Sequence, residues 1–340
     1  VDVDIILEPD LTPSQICELG QAAEQYGIRA LWTSNYFAHW DAFLSLVPLM
    51  QTTDRLLAGP LAVSPFEMHP QKIANSVLSL NEMSGGRAQI AIGAGEGNLD
   101  CMDLKKPPKI VKAVREAIEI VTRAGRRQLD KGYEGEYFNV KFPCSYDWLT
   151  QRPPFVYITC YREQMMRMGG RVADGVYLGS MPTDIVEPAM KNVRIGISRR
   201  DDDGAGVRVN NFWGWHIKAD EDEAYRESRR ELAWRGRKLD AEIVRLFCSE
   251  EETELVTGNF DAFVAAWFDR SGEVKGIPEE TCRKLMHGLT STGGLKDLDR
   301  EIERFKTFER AGLTEISLRL HEDPMDGLKI IGEHIVPALQ

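Results

Sequence analysis

The 340-residue chain has no run of about eighteen apolar residues, so no segment reads as a membrane-spanning helix. Its first residues, Val-Asp-Val-Asp, lack the basic and apolar regions of a secretory signal, and the expectation is a cytoplasmic protein. No block of Lys and Arg with interleaved aromatics occurs, and 42 basic residues against 53 acidic ones leave a formal charge of −11. An acidic surface repels phosphate backbones and anionic headgroups, which argues against nucleic acid and membrane surfaces as partners. Cysteine is sparse: the six, at 17, 101, 144, 160, 248 and 282, never fall at two- or four-residue separation. Neither a zinc knuckle nor a redox pair is signalled, and reduced core thiols are expected. The histidines, at 39, 69, 216, 287, 321 and 334, show no helical i, i+4 pair, so the sequence makes no case for a bound metal.

What is present is an ordinary enzyme composition, 43% apolar and 28% charged, with a repeated alternation of strand and helix patterns. Strands are expected at Val3 to Leu7, Ala30 to Thr33, Leu56 to Val63, Ala88 to Gly93, Phe155 to Thr159, Gly175 to Leu178, Val207 to Ile217 and Glu315 to Leu320. Most are followed by a helical pattern, as at Pro13 to Tyr26, Asp41 to Met50, Gln71 to Met83, Ile110 to Arg123, Glu163 to Val172, Glu221 to Arg237 and Met325 to Leu339. A further helix, Leu295 to Ala311, precedes the last strand. Continuous apolar strands are those covered on both faces. Eight such units favour an α/β fold of the (β/α)₈ TIM-barrel type over a doubly wound sheet, as one domain over 1–340. Two insertions, about 124–153 and 238–294, carry no clear pattern.

Barrel chemistry sits at the C-terminal ends of the strands, which confines the search for a site. Glu8 and Glu96, both at strand ends, form a separated carboxylate pair suited to proton transfer, or each caps the next helix. Asn35, Tyr36, Phe37, His39 and Trp40 crowd one strand end, offering faces for a flat ring; a packed loop below the rim is the other reading. Gly93, Gly95 and Gly97 leave bare backbone for a phosphate or a ring, or simply permit a tight turn. Trp213, in the run Phe212 to His216, is either a pocket wall or core. Arg162, beside Tyr161, holds a phosphate or a surface ion pair.

Taken together, Leu31-Trp32-Thr33-Ser34 through Trp40, Gly59-Pro60 to Pro65, Leu78 to Arg87, Gly93 to Glu96 and Tyr157 to Gly175 resemble the bacterial luciferase-like superfamily. The resemblance runs over nearly the first 180 residues and is strongest to the branch that uses the deazaflavin coenzyme F420 and includes methylene-tetrahydromethanopterin reductase. It implies a (β/α)₈ barrel, a flavin-like ring at the strand ends, and a non-proline cis peptide behind that ring at Leu61–Ala62.

The resemblance further implies cofactor contacts at Glu8, Leu61, Ala62, Gly93, Gly95, Tyr161, Arg162, Gly179 and Ser180. Catalytic work falls to Tyr36, Glu96 and Asn35, and substrate contacts to His39, Trp40 and Trp213. Two departures stand out. Where this branch reads Ser-Asp-His-Phe, the chain reads Ser34-Asn35-Tyr36-Phe37, and Tyr161-Arg162-Glu163 replaces a Gly-Pro turn after strand five. Tyrosine, with a reference pKa near 10, donates a proton or hydrogen bond but is a poor base at neutral pH.

The expected activity is hydride transfer between coenzyme F420 and a small organic substrate. One alternative is an FMN-dependent monooxygenase served by a partner flavin reductase; another is a cofactor-binding protein without turnover. A homo-oligomer is implied by the family rather than by composition.

Overall fold

The computed structural model describes the whole chain except Glu96, Arg237 and Lys238. Strands β1 (Asp2–Leu7), β2 (Ala30–Ser34), β3 (Leu57–Leu61) and β4 (Gln89–Ile92) open the fold, and a two-stranded hairpin, β5 (Tyr133–Glu134) and β6 (Asn139–Val140), occupies the first insertion. Strands β7 (Phe155–Cys160), β8 (Gly175–Leu178), β9 (Arg208–Lys218), β10 (Thr290–Gly294) and β11 (Glu315–Arg319) follow. The main sheet is parallel throughout, in the order β3-β2-β1-β11-β9-β8-β7-β4. Bridges from Ala58 to Ala88 and from Val63 to Ile92 bring β3 back to β4, so the eight expected strands close into a (β/α)₈ barrel.

Strand β9 is long because it serves two neighbours. Asn210 to Gly214 pair with β11, and Gly214 to Lys218 pair with β10. The β10 sequence, Thr-Ser-Thr-Gly-Gly, has no apolar run and gave no strand signal, although it is buried along its whole length. The helix Thr183–Ile197 also went unread, since Pro188 in its interior looks like a breaker. The helical pattern from Asp41 begins later than expected, as a 3₁₀ turn at Leu44–Leu46 and the helix Val47–Thr52; Asp41 Oδ1 accepts from the Phe43 and Leu44 N–H groups instead.

Strand parity sets the barrel's interior. Ile6, Trp32, Ala91, Tyr157 and Tyr177 meet at its centre, with the Trp32 ring edge-on to Tyr157 at 5.3 Å and to Tyr177 at 5.4 Å. Below them the strands are not apolar. Asp4 accepts from Trp32, Asn210 and the Arg29 fork, while Glu315 accepts from Tyr157 and Asn210, so buried charges close the N-terminal end with partners in place. The aromatic layer above makes the barrel a packed body rather than a pore, and leaves only the C-terminal mouth for chemistry.

The second insertion is helical: Ala241–Val244, Glu250–Gly258, Phe260–Phe268 and Glu279–Leu289 pack with the helix Glu221–Gly236 around their own apolar cluster, which includes Leu232, Phe263 and Leu285. Of the six cysteines only Cys160 and Cys282 are buried, and Cys101 is exposed, which corrects the expectation of six core thiols. Among the described residues no helix is long and apolar enough to cross a membrane.

Candidate active site at the barrel mouth

The end of β3 is bulged by a cis peptide at Leu61–Ala62, where the resemblance placed one. Asn35, at the end of β2, holds this bulge: its N–H donates to the Leu61 carbonyl at 3.1 Å, and its side-chain nitrogen donates to the Ala62 carbonyl and to Glu67 Oε2, both at 3.2 Å. Asn98 Nδ2 donates to the same Glu67 oxygen at 3.1 Å and ties in the loop after β4. Burial raises the Glu67 pKa, and the two amide hydrogen bonds offset only part of that effect. Glu67 went unnoticed in the sequence, although it stands within the Leu61 to Met68 turn that follows a candidate strand. Asn35 was expected to be catalytic, but its amide hydrogens are committed to the bulge.

Gly93 and Gly95 have a packing reason for lacking side chains. A Cβ on Gly93 would stand 2.2 Å from Thr159 Oγ1, and Gly95, at φ +60°, would place one 2.6 Å from Ser64 Cβ. The loop after β4 is thereby pressed against the bulge. Glu96, the acid expected in this loop, lies outside the described residues.

Across the mouth, β1, β9 and β11 present inward-facing charged groups. Arg319 forks onto Glu8, Nε to Oε1 at 2.7 Å and Nη2 to Oε2 at 2.9 Å, and His321 Nδ1 also stands 2.8 Å from Glu8 Oε1. Burial alone would raise the Glu8 pKa; the Arg319 charge and the hydrogen bonds from His321 and Arg319 outweigh it and bring it down to about 2. Glu8 is thus an ionised anchor at neutral pH. Burial likewise disfavours a charged His321, but its hydrogen bonds to Glu231 and Glu8 raise it to about 9. The guanidinium groups of Arg319 and Arg235 lie 5.7 and 5.6 Å from the centre of the Phe212 ring.

Tyr36 is half-buried at the rim, near enough to Arg319 for electrostatic interaction, with its ring 6.5 Å from Trp234. Trp234, in the helix Glu221–Gly236, stacks obliquely on Trp267 of the second insertion at 4.7 Å, so the three aromatics form a wall beside the rim. Neither tryptophan was legible as a site residue, because Trp234 sits in a helix dominated by charge. His39 and Trp40 are exposed on the outer rim. Trp213 is a correction: it points away from the mouth, fully buried, with its ring 5.4 Å from Phe308 and its N–H donating to Ser291. Inward and outward positions alternate along β9, and Phe212 takes the inward one.

At the ends of β7 and β8, Tyr161 and Arg162 lie beside Gly179 and Ser180. A Cβ on Gly179 would be 3.5 Å from the Tyr161 ring, and Ser180 adopts a left-handed backbone at φ +57°. Arg162 is exposed, stacked on Tyr161 at 5.4 Å and 3.8 Å from Asp240. The two helices that start here, Glu163–Val172 and Thr183–Ile197, have no side-chain cap, so neighbouring sets of first-turn N–H groups face the mouth's edge beside a guanidinium.

A family model described as luciferase-like monooxygenase matches residues 6–294. The chain belongs to this family. It is 24% identical over 343 residues to a 5,10-methylenetetrahydromethanopterin reductase of Archaeoglobus fulgidus, covering 98% of both chains. It is 28% identical over 199 residues to an F420-dependent glucose-6-phosphate dehydrogenase of Nakamurella multipartita, which covers 53% of this chain and 58% of that one. Among solved structures, the coenzyme F420-dependent tetrahydromethanopterin reductase of Methanopyrus kandleri superposes with a TM-score of 0.84 at 20% identity, over 100% of this chain and 99% of that one. That likeness shows the luciferase-like barrel fold.

Proposed function

We propose that the protein is an oxidoreductase that uses coenzyme F420 and moves a hydride between it and a small organic molecule. The observation that carries this reading is the composition of the mouth. On one side is a side-chain-poor surface built from the β3 bulge, Gly93 and Gly95; on the other is the hydrogen-bonded acid–base cluster of Glu8, Arg319 and His321. The full-length match to a methylenetetrahydromethanopterin reductase supports the same reading.

The residues present fit a deazaflavin. The bulge offers backbone to a flat ring, and Arg162 with the two uncapped helix starts suits an anionic tail. When bound, the deazaflavin supplies two-electron chemistry. The chain's own residues then do the remaining work. Tyr36 donates a hydrogen bond or proton to a substrate atom that gains charge, Trp234 and His39 wall the substrate, and Glu8 with Arg319 fixes the polar edge of the mouth. The carry-over of Glu96 as a catalytic acid beside the ring belongs to this proposal.

The family description itself favours one second reading, an FMN-dependent monooxygenase supplied by a flavin reductase. Titrating the purified protein with coenzyme F420 and with FMN, and following the absorbance of each, separates the two. Saturable micromolar binding of coenzyme F420 with little response to FMN is expected; the reverse order replaces the first reading with the second.

A further inference from the structure

The acid–base cluster across the mouth is internally paired. His321 stands 2.8 Å from both Glu8 and Glu231, and His216 stands 2.8 Å from Glu231 and 2.7 Å from Glu227. Glu67, on the side offered to the coenzyme's ring, is an acid that the proposed reaction has not used. Its neighbours come from three separate strand ends: Asn35 follows β2, Glu67 itself lies in the turn after β3, and Gly95 and Asn98 follow β4.

All four amide hydrogens of the two asparagines have acceptors. Asn35 Nδ2 donates to the Ala62 carbonyl and to Glu67 Oε2, and Asn98 Nδ2 donates to the same Glu67 oxygen and, at 3.3 Å, to the Asn35 carbonyl. One carboxylate oxygen is thus shared by both amides. The other, Oε1, has no hydrogen-bond partner among the described residues and lies 3.1 Å from the point where a Cβ on Gly95 would stand. The carboxylate is therefore wedged between the β3 turn and the β4 loop.

The need for such a clasp follows from where the backbone pairing stops. Val63 N–H donates to the Ala91 carbonyl at 2.9 Å, and Gly93 N–H donates to the Val63 carbonyl at 3.0 Å. Past Gly93, no backbone hydrogen bond joins the β3 turn to the β4 loop among the described residues. These are the two segments whose bare surface is offered to the ring. Their separation is left to side chains, namely Ser64 packed on Gly95 and the Glu67 clasp.

We infer that Glu67 is a positioning residue for coenzyme F420: its carboxylate ties Asn35 to Asn98 and so holds the β3 bulge and the β4 loop at the separation the deazaflavin ring fits. The inference rests on the proposed function. Glu67 keeps this face formed before the coenzyme arrives, so that binding does not have to order two loops.

The test titrates the full chain with coenzyme F420 by absorbance, in wild type and variants, and records the unfolding midpoint of each protein separately. Glu67→Leu keeps the approximate size of the side chain and removes the shared acceptor; it should weaken binding about tenfold or more, the size of a lost hydrogen bond to a charged group. Glu67→Gln, whose amide oxygen accepts from both asparagines, should restore binding to within about threefold of wild type. Asn98→Leu should also weaken binding, by about threefold or more, and should add little to Glu67→Leu because the two side chains act through one clasp. If Glu67→Leu fails to fold, Asn98→Leu and Glu67→Gln carry the test. Unchanged affinity in the leucine variants, a glutamine variant as weak as Glu67→Leu, or losses that merely follow the unfolding midpoints overturn the positioning role. Failure of the wild-type protein to bind coenzyme F420 overturns instead the function on which it rests, and is read before any variant.

Discussion

Asn35 gives its side-chain amide to two acceptors at once, the Ala62 carbonyl and Glu67 Oε2, each 3.2 Å away. The pairing explains why an amide stands where deazaflavin relatives commonly carry an aspartate. A carboxylate here would meet the Glu67 carboxylate and leave the Ala62 oxygen without a donor. Asn35→Asp should destabilise the fold by about 1–3 kcal/mol at pH 8. The loss should be smaller at pH 5, because burial raises the Glu67 pKa and a lower pH favours the protonated form, which does not repel the new carboxylate. Chemical denaturation at the two pH values checks this.

Tyr36 stands between the Trp234 wall and Arg319, a place for a donor to developing negative charge. Tyr36→Phe keeps the ring and removes the hydroxyl. Loss of a positioned acid costs roughly 10²–10⁴-fold in rate. The expected result is a fall of that size in the oxidation of bound reduced coenzyme F420 by its best organic acceptor, with coenzyme affinity nearly unchanged. A near-normal Phe variant assigns the proton elsewhere.

Among the described residues, Arg162 pairs with Asp240, at 3.8 Å, and stacks on Tyr161. If it serves the anionic tail, Arg162→Met should weaken coenzyme F420 binding about 10–100-fold, the size of one charged hydrogen bond. Asp240→Asn frees the guanidinium and should tighten binding. Equal affinity in all three proteins would leave Arg162 a surface side chain.

The pH dependence of stability has a definite sign. The His321 pKa is raised from 6.5 to about 9, so its contribution is complete below pH 6.5 and is lost as pH rises through 9. Glu8 is lowered from 4.5 to about 2, so its contribution is present above pH 4.5 and lost as pH falls through 2. Between pH 6.5 and 9.5 the wild-type protein should lose roughly 3 kcal/mol attributable to His321. Unfolding curves of His321→Gln over the same range should lack that slope.

The barrel was legible because its eight strands are mostly apolar and separated by helices, and the cis peptide was placed by the motifs around Gly59 to Pro65. Strand β10 was illegible because Thr290, Ser291 and Thr292 are buried through hydrogen bonds to Ser228, Glu301 and each other rather than through apolar surface. The helix Thr183–Ile197 was hidden by Pro188. The acid–base cluster was missed for a different reason: its members come from positions 8, 216, 227, 231 and 321, which no local pattern joins. Two signals were available. His216 with Lys218, and Arg319 with His321, are polar i, i+2 pairs at strand ends, and Glu227 with Glu231 is an i, i+4 acidic pair that a solvated helix has no need to bury. Trp213 was misplaced because a run of aromatics does not show which parity faces the barrel axis.

The most direct test of the account mixes the protein carrying reduced coenzyme F420 with a panel of small organic acceptors and, separately, with oxygen, and follows the recovery of oxidised deazaflavin absorbance. The account predicts rapid oxidation by at least one organic acceptor and slow oxidation by oxygen. Rapid consumption by oxygen, or no oxidation by any acceptor while the coenzyme stays bound, would contradict it.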